Sequence, residues 1–126
     1  MNVYDTRFFI EHYYSKNDEV LKRTTNALKT DKNKVISAIV VHEVYKLTLD
    51  KEGKEQAELR TKLLEKDFRV INVDTQIAKI SAKLRHKYRI PMADSIIAAT
   101  AESLKLVCIT DDQHFTQMKE VKTKWI

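Results

Sequence analysis

Acidic residues follow, or lie close behind, the predicted strands of this 126-residue chain. Asp5 comes directly after the first strand-like run, and Asp111 and Asp112 follow another such run after a single threonine. Glu43 lies about two helical turns into the helix predicted after a third strand-like run, KVIS. Because open parallel sheets bind their ligands outside the carboxyl ends of the strands, these carboxylates are the first candidates for chemistry.

Asp94 is expected to reach the same edge of the sheet from a helix. Pro91 fits the first turn of a helix and prevents the preceding residue from continuing one, which predicts a helix with Asp94 in its first or second turn. That helix runs into the strand-like run LVCI. The helix and the strand run in opposite directions, so the start of one and the end of the other lie at the same edge. Carboxylates from four chain segments are therefore predicted to converge there.

Carboxylates packed within a few ångströms repel one another and raise each other's pKa unless cations are present. Oxygen ligands suit Mg²⁺ or Mn²⁺, which leave coordination positions open for a substrate phosphate. One or two such ions polarise a phosphate and lower the pKa of a bound water, so that no separate general base is needed. The pattern is typical of a metal-dependent phosphodiesterase.

Each acid also has a purely structural explanation. Asp5 would be a helix N-cap, and Asp94 would be a first-turn acid facing the helix dipole. Asp111 and Asp112 would be turn residues, and Glu43 would be a surface residue. Glu43 and Asp94 favour the chemical explanation, because both lie among apolar neighbours in the sequence. A carboxylate on the apolar side of a helix is costly unless it is paired or bound to a metal.

Short strands and longer helices alternate along the chain and must position these acids. Brief runs rich in β-branched residues predict strands at Met1–Tyr4, Lys34–Ser37, Phe68–Val73, Leu106–Ile109 and Val121–Trp125. Apolar residues three and four apart predict helices at Phe8–Tyr14, Asp18–Leu28, Ile39–Leu49, Glu55–Glu65, Thr75–Tyr88 and Ala93–Lys105. The alternation requires crossover connections, so the predicted class is α/β, with a central, mainly parallel sheet of four to five short strands and helices on both faces.

Length, composition and net charge limit the classes of function that are compatible with the chain. The length suits one domain, residues 1–126. A single glycine and a single proline exclude glycine-rich phosphate loops, so no nucleotide cofactor is expected. No apolar run approaches the ~20 residues that span a bilayer and no signal-peptide pattern is present, which predicts a cytoplasmic protein without membrane association. Lysine and arginine total 23 against 18 acids, and this net charge of +5 favours a polyanionic partner.

Three segments carry a family pattern in their order and spacing: VYDTRFFIEHY, ISAIVVHEVYK and IPMADSIIAATAESLKLVCITDDQHF. They resemble the motifs of the PIN-domain ribonucleases, in particular the small VapC-like toxins of prokaryotic toxin–antitoxin pairs. The resemblance maps the functional acids onto Asp5, Glu43, Asp94 and, two residues after the signature threonine, Asp112. It implies Mg²⁺- or Mn²⁺-dependent RNA cleavage, a homodimer, and inhibition by an antitoxin whose C-terminal segment occupies the site.

Residues beside the acids are supporting candidates. Thr6 and Thr110 are expected to hydrogen-bond an acid or hold a metal-bound water, or else to cap backbone groups, and Asp111 is grouped with them. Arg7 and Lys105 depart from the family pattern, in which small or aliphatic residues and glycine are common at these positions. Arg7 would place a cation beside the metals or the RNA backbone, or else pair with a neighbouring acid. The histidines show no metal spacing and are expected to be structural or surface residues: His12, His42, His86 and His114.

Other functions are compatible with parts of the pattern. A catalytically silent PIN-like module that binds RNA or a partner is expected to lack one of the acids, and none is missing. A phosphate-receiver domain needs a reactive aspartate after its third strand, where Asp74 instead fits a helix N-cap. A DNA substrate is possible because chemistry directed at the phosphate does not itself distinguish the sugars, and the family resemblance favours RNA.

Overall fold

Five short parallel strands form the central sheet of the computed structural model, which describes all residues from Met1 to Ile126. The strands are β1 (Asn2–Tyr4), β2 (Lys34–Ser37), β3 (Arg69–Ile71), β4 (Val107–Ile109) and β5 (Thr123–Lys124). Their order across the sheet is β3-β2-β1-β4-β5, and every neighbouring pair is parallel. The predicted α/β class is confirmed, although the third and fifth strands are shorter than the sequence pattern indicated.

Seven helices connect and cover these strands: α1 (Thr6–Tyr14), α2 (Asp18–Thr30), α3 (Ala38–Glu52), α4 (Lys54–Asp67), α5 (Thr75–Tyr88), α6 (Met92–Leu104) and α7 (Gln113–Thr116). The first six correspond to the predicted helices, with ends that agree to within one turn. Helix α7 was not predicted, because a four-residue helix is too short to show an apolar period. It follows Asp112 directly, so it belongs to the segment that carries the candidate acids.

The strand order reverses between β1 and β4. The chain builds β1, β2 and β3 outward in one direction and then places β4 and β5 on the other side of β1. Directly after β1, the Asp5 amide donates to the carbonyl of Ile109, the last residue of β4, at 3.1 Å. Such a reversal opens a crevice at the carboxyl ends of the strands, which is where open α/β sheets bind ligands.

The centre of the sheet is covered on both of its faces. Val35 and Ile36 are consecutive in β2 and both are buried, which requires cover on the two sides of the sheet. Helix α6 packs against β1, β2 and β4 and buries six of its thirteen residues, including Ile97. A helix buried in this way has little freedom to shift, so Asp94 in its first turn is held in place.

Three local features of the fold follow from the residue types at their positions. Gly53 separates α3 from α4 with a φ of 94°, a conformation that favours glycine. The Asp74 side chain caps α5 by accepting from the Ile77 amide at 2.8 Å. Cys108 is a free, fully buried residue of β4, and burial raises the pKa of its thiol.

No helix of the chain has the length and apolarity that crossing a membrane would require.

Lys105 ends α6 in the left-handed conformation, with a φ of 56°. The amide of Lys105 donates to the carbonyl of Glu102, and the next amide donates to Ala101, so this residue closes the helix as a C-terminal glycine commonly does. Lys105, at a position where glycine is common in the family pattern, therefore adopts the same backbone conformation at a steric cost.

Replacing Lys105 by glycine is expected to raise the free energy of unfolding by about 0.5–1 kcal/mol, because glycine adopts this conformation without steric cost. Urea denaturation followed by circular dichroism measures the change. Lys83→Gly, at an exposed position in the middle of α5, should lower the same quantity by about 1 kcal/mol. A Lys105→Gly variant that is destabilised as much as the Lys83→Gly control would contradict the interpretation.

Candidate active site

Asp5 lies at the centre of the crevice and is 2% exposed. It occupies the residue before α1, as the N-cap explanation required, but its side chain makes no capping hydrogen bond. Its Oδ2 instead accepts a hydrogen bond of 2.7 Å from the Thr110 hydroxyl, which comes from the neighbouring strand end. The carboxylate therefore points across the gap between β1 and β4.

Thr110 links two of the acids. While its hydroxyl donates to Asp5, the same oxygen accepts from the Asp112 amide at 3.1 Å. The Asp112 side chain then caps α7 by accepting from the His114 amide at 2.9 Å. A buried threonine thus sets the turn after β4 and, through it, the position of Asp112.

Asp94 comes from the first turn of α6, within the predicted first two turns. Its Oδ2 lies 2.8 Å from Nδ1 of His114, so the start of α6 and the segment after β4 do meet at one edge of the sheet. The Asp94 side chain is 17% exposed. This half-open position lets a bound group reach the carboxylate from solvent.

Glu43 projects from α3 on the other side of the crevice. Its Oε1 accepts a hydrogen bond of 2.6 Å from the Thr6 hydroxyl in the first turn of α1. It also lines a cleft of about 390 Å³ that extends along α3 to Met92 and Ala93 at the start of α6. The side chain is therefore held beside the other acids and is half-buried rather than free on the surface.

Burial and mutual repulsion act on the carboxyl groups together. Burial is the largest cause that raises the pKa of Asp5 to about 7; the Thr110 hydrogen bond lowers this pKa, and the charges of Asp94 and Asp112 add to the rise. The pKa of Asp94 is also raised by burial and by its acidic neighbours Asp112 and Glu43, while His114 opposes the shift. Such clustering of half-buried acids around a buried one stores electrostatic repulsion that a bound cation would relieve.

Asp111 lies outside this cluster. Its two carboxylate oxygens accept from Nε and Nη2 of Arg7 at 3.1 and 3.4 Å, and both partners are exposed by more than a third. Arg7 therefore forms the ion pair that was one of its two expected roles, with Glu11 at 3.9 Å as a second acid. Of the two consecutive aspartates, only Asp112 turns toward Asp94.

His114 was expected to be a structural or surface residue; its side chain is 47% exposed, and its ring lies among the acids. Its Nδ1 is 2.8 Å from Asp94 and 3.2 Å from Asp112. One ligand atom from each of these three residues lies within 4.8 Å of the others, which makes them a candidate metal-binding group. The sequence signal that would have found His114 is its position two residues after Asp112, within the turn that this aspartate caps.

Two aromatic residues of α1 belong to the hydrophobic core. Phe8 and Phe9 are fully buried and pack edge-on with Tyr4 and Phe68. Asp74, the residue on which a phosphate receiver would depend, is engaged in capping α5. Neither feature supplies a second functional site.

A family model for the PIN domain matches residues 3–121 of the chain. No curated protein sequence matches this chain. The family match covers nearly all the elements described above, including those that carry each of the four candidate acids.

Solved structures show the same fold. A toxin–antitoxin complex from Klebsiella pneumoniae contains a chain 30% identical to this one, with 100% of both chains covered and a TM-score of 0.77. A DNA-bound VapBC from Salmonella typhimurium matches at 19% identity and a TM-score of 0.80, covering 98% of this chain and 96% of the other. A VapC toxin from Mycobacterium tuberculosis, described as cleaving the sarcin–ricin loop, matches at 17% identity and a TM-score of 0.75, covering 97% and 99%. At these lower identities the likeness shows the fold alone.

Proposed function

The chain belongs to the PIN domain family, and we propose that it is a divalent-metal-dependent endoribonuclease, the toxin of a toxin–antitoxin pair, formed as one domain by residues 1–126. One observation carries the proposal: carboxylates from four separate segments meet at the carboxyl edge of β1 and β4, with Asp5 buried among them. Burying mutually repelling acids is unfavourable for folding, which points to selection for function at this edge.

The donor set fits Mg²⁺ or Mn²⁺. Ions of this kind are bound through carboxylates and keep coordination positions for water and phosphate. The residues that we assign to one or two ions are Asp5, Glu43, Asp94 and Asp112. When bound, the ions supply the positive charge that offsets the charge of a phosphodiester, makes water a better nucleophile at neutral pH and stabilises the leaving oxygen.

The remaining residues of the site position the acids. Thr110 holds Asp5 and the backbone of Asp112 at once, and Thr6 holds Glu43, so each hydroxyl removes rotational freedom from a carboxylate. Arg7 and Asp111 lie on the exposed rim beside the cluster. We assign Arg7 to the RNA backbone, because an exposed guanidinium whose partner is a surface carboxylate can exchange it for a phosphate at little cost.

RNA is favoured as the substrate by the family and by the charge. With four acids gathered in one crevice, the rest of the surface is more basic than the net charge of +5 indicates. The relative from Mycobacterium tuberculosis is described as cleaving the sarcin–ricin loop. An RNA substrate also places the activity in the cytoplasm.

A protein antitoxin and a second copy of the chain are the proposed partners. Chains of the same fold are present in the toxin–antitoxin complex from Klebsiella pneumoniae and in VapBC from Salmonella typhimurium. The chain from Klebsiella pneumoniae matches this one along its full length. An antitoxin segment that reaches the acid cluster would block access of a phosphate to the carboxylates.

The test is cleavage of a structured RNA by the purified protein, with a DNA of the same sequence as the comparison. We expect RNA cleavage with Mg²⁺ or Mn²⁺, at least about tenfold slower cleavage of the DNA, and no cleavage after EDTA, because the carboxylates alone cannot offset phosphate charge. Restoring the metal should restore the activity. RNA binding without turnover in the presence of Mn²⁺ would identify a silent PIN-like module and contradict the proposal.

A further inference from the structure

The ring of His114 lies against the acid cluster in a way that its place in the sequence does not require. Nδ1 is 2.8 Å from Oδ2 of Asp94 and 3.2 Å from Oδ1 of Asp112. Neighbouring ligands of an octahedral ion with bonds of about 2.1 Å are about 3 Å apart. Each carboxylate oxygen therefore lies at the distance from the ring nitrogen that adjacent ligands of a single ion would have, and all three ligand atoms lie within 4.8 Å of one another.

The backbone holds His114 in this position. Asp112 accepts from the His114 amide at 2.9 Å and thereby caps α7, and Thr110 accepts from the Asp112 amide at 3.1 Å. Phe115, the next residue, is fully buried and anchors α7 to the core. The side chain of His114 nevertheless remains 47% exposed, so an ion can reach the ring from solvent.

A nitrogen ligand changes which ion the site prefers. Mg²⁺ is bound through oxygen and is held by carboxylates and waters, whereas first-row transition ions also accept imidazole nitrogen. Two carboxylates and one imidazole form a mixed set that favours the second group of ions.

We infer that His114 is a metal ligand that acts with Asp94 and Asp112 and gives this site a preference for transition-metal ions over Mg²⁺. The inference rests on the proposed metal site and goes beyond it, because the four-carboxylate assignment alone does not distinguish Mg²⁺ from Mn²⁺. A purely positioning role, in which the ring only donates a hydrogen bond to Asp94, is the alternative that the experiment must separate.

The experiment uses Mn²⁺ as the probe and requires no RNA. Pulsed electron paramagnetic resonance of the wild-type protein with one equivalent of Mn²⁺ should show nitrogen coupling from a coordinated imidazole. His114→Gln should lose that coupling and bind Mn²⁺ about tenfold more weakly, while the Mg²⁺ affinity from competition changes less than about threefold. His86→Gln, on the exposed face of α5, is the matched control and should behave as wild type.

The outcomes separate the inference from the proposed function. Mn²⁺ bound without nitrogen coupling in the wild-type protein would overturn the inference and leave the carboxylate site intact. Equal losses of Mn²⁺ and Mg²⁺ affinity in His114→Gln would assign the ring to positioning Asp94 and would also overturn it. If neither ion binds the wild-type protein, the proposed metal site fails together with the inference. The wild-type spectrum decides the question of coordination even if the variant is unstable.

Discussion

Replacing Asp94 by asparagine is expected to lower kcat/KM for RNA cleavage about a thousand-fold or more, which corresponds to about 4 kcal/mol of lost transition-state stabilisation. The reason is charge: asparagine keeps the shape of the side chain but removes one of the negative charges that hold a divalent ion. The fold should survive, because the only side-chain hydrogen bond of Asp94 is to His114, and an amide oxygen can accept it. Rates on a defined RNA and a thermal melt measure the two quantities.

Asp111 and Asp112 provide a matched comparison for this prediction. Asp112→Asn should lose activity as severely as Asp94→Asn, because Asp112 belongs to the acid cluster. Asp111→Asn should stay within about fivefold of the wild-type protein, since an exposed ion pair contributes little and the partner Arg7 remains free to bind phosphate. Activity in Asp94→Asn within tenfold of wild type, or the reverse order of the two neighbouring aspartates, would sink the assignment.

In the absence of divalent ions, the protein is expected to become less stable as the pH rises from about 4 to 8. The pKa of Asp5 is about 7 in the folded chain against an ordinary value of 3.8, so between these values the unfolded chain gives up a proton that the folded chain keeps. The unfolded state then binds fewer protons, and stability falls with rising pH. The contribution is fully present below pH 3.8 and is lost as the pH passes 7, with a total of up to about 4 kcal/mol.

Urea denaturation in EDTA at pH 4.5 and pH 8 measures this loss. Asp5→Asn should remove most of the pH dependence and should be more stable than the wild-type protein at pH 8, because a neutral amide is not repelled by the neighbouring acids. Asp50→Asn, an exposed position paired with Lys46 on α3, is the control and should follow the wild-type profile. Mg²⁺ or Mn²⁺ should restore the stability of the wild-type protein at pH 8 and have a smaller effect on Asp5→Asn. Parallel pH profiles for wild type and Asp5→Asn would contradict the prediction.

The sequence alone predicted the elements that carry the acids. The apolar period of α6 and the proline before it placed Asp94 in the first or second turn, and the short runs β1 and β4 placed Asp5 and Thr110 at strand ends. These are local patterns, because a helix or strand is specified by residues a few positions apart. The resemblance to the PIN-domain ribonucleases rested on the same segments, and the family match confirms it.

Short elements were predicted less well. Strands of two or three residues, such as β3 and β5, have ends that depend on their neighbours in the sheet rather than on their own composition. Helix α7 depends on the Asp112 cap and on the burial of Phe115, and neither is visible as a period in four residues.

The tertiary structure alone decided which side chains meet. Thr110 and Asp5 are 105 residues apart in the chain, and Arg7 and Asp111 are 104 apart, so no local pattern relates the members of either pair. The residues themselves left open whether Asp111 or Asp112 joins the cluster, and for His114 they showed only that it lies near the proposed site in the sequence. The direction of a side chain in a turn follows from backbone angles that are set by packing between distant segments. The sequence by itself therefore determined that acids stand at one edge of a parallel sheet, and only the folded chain determined which of them face one another.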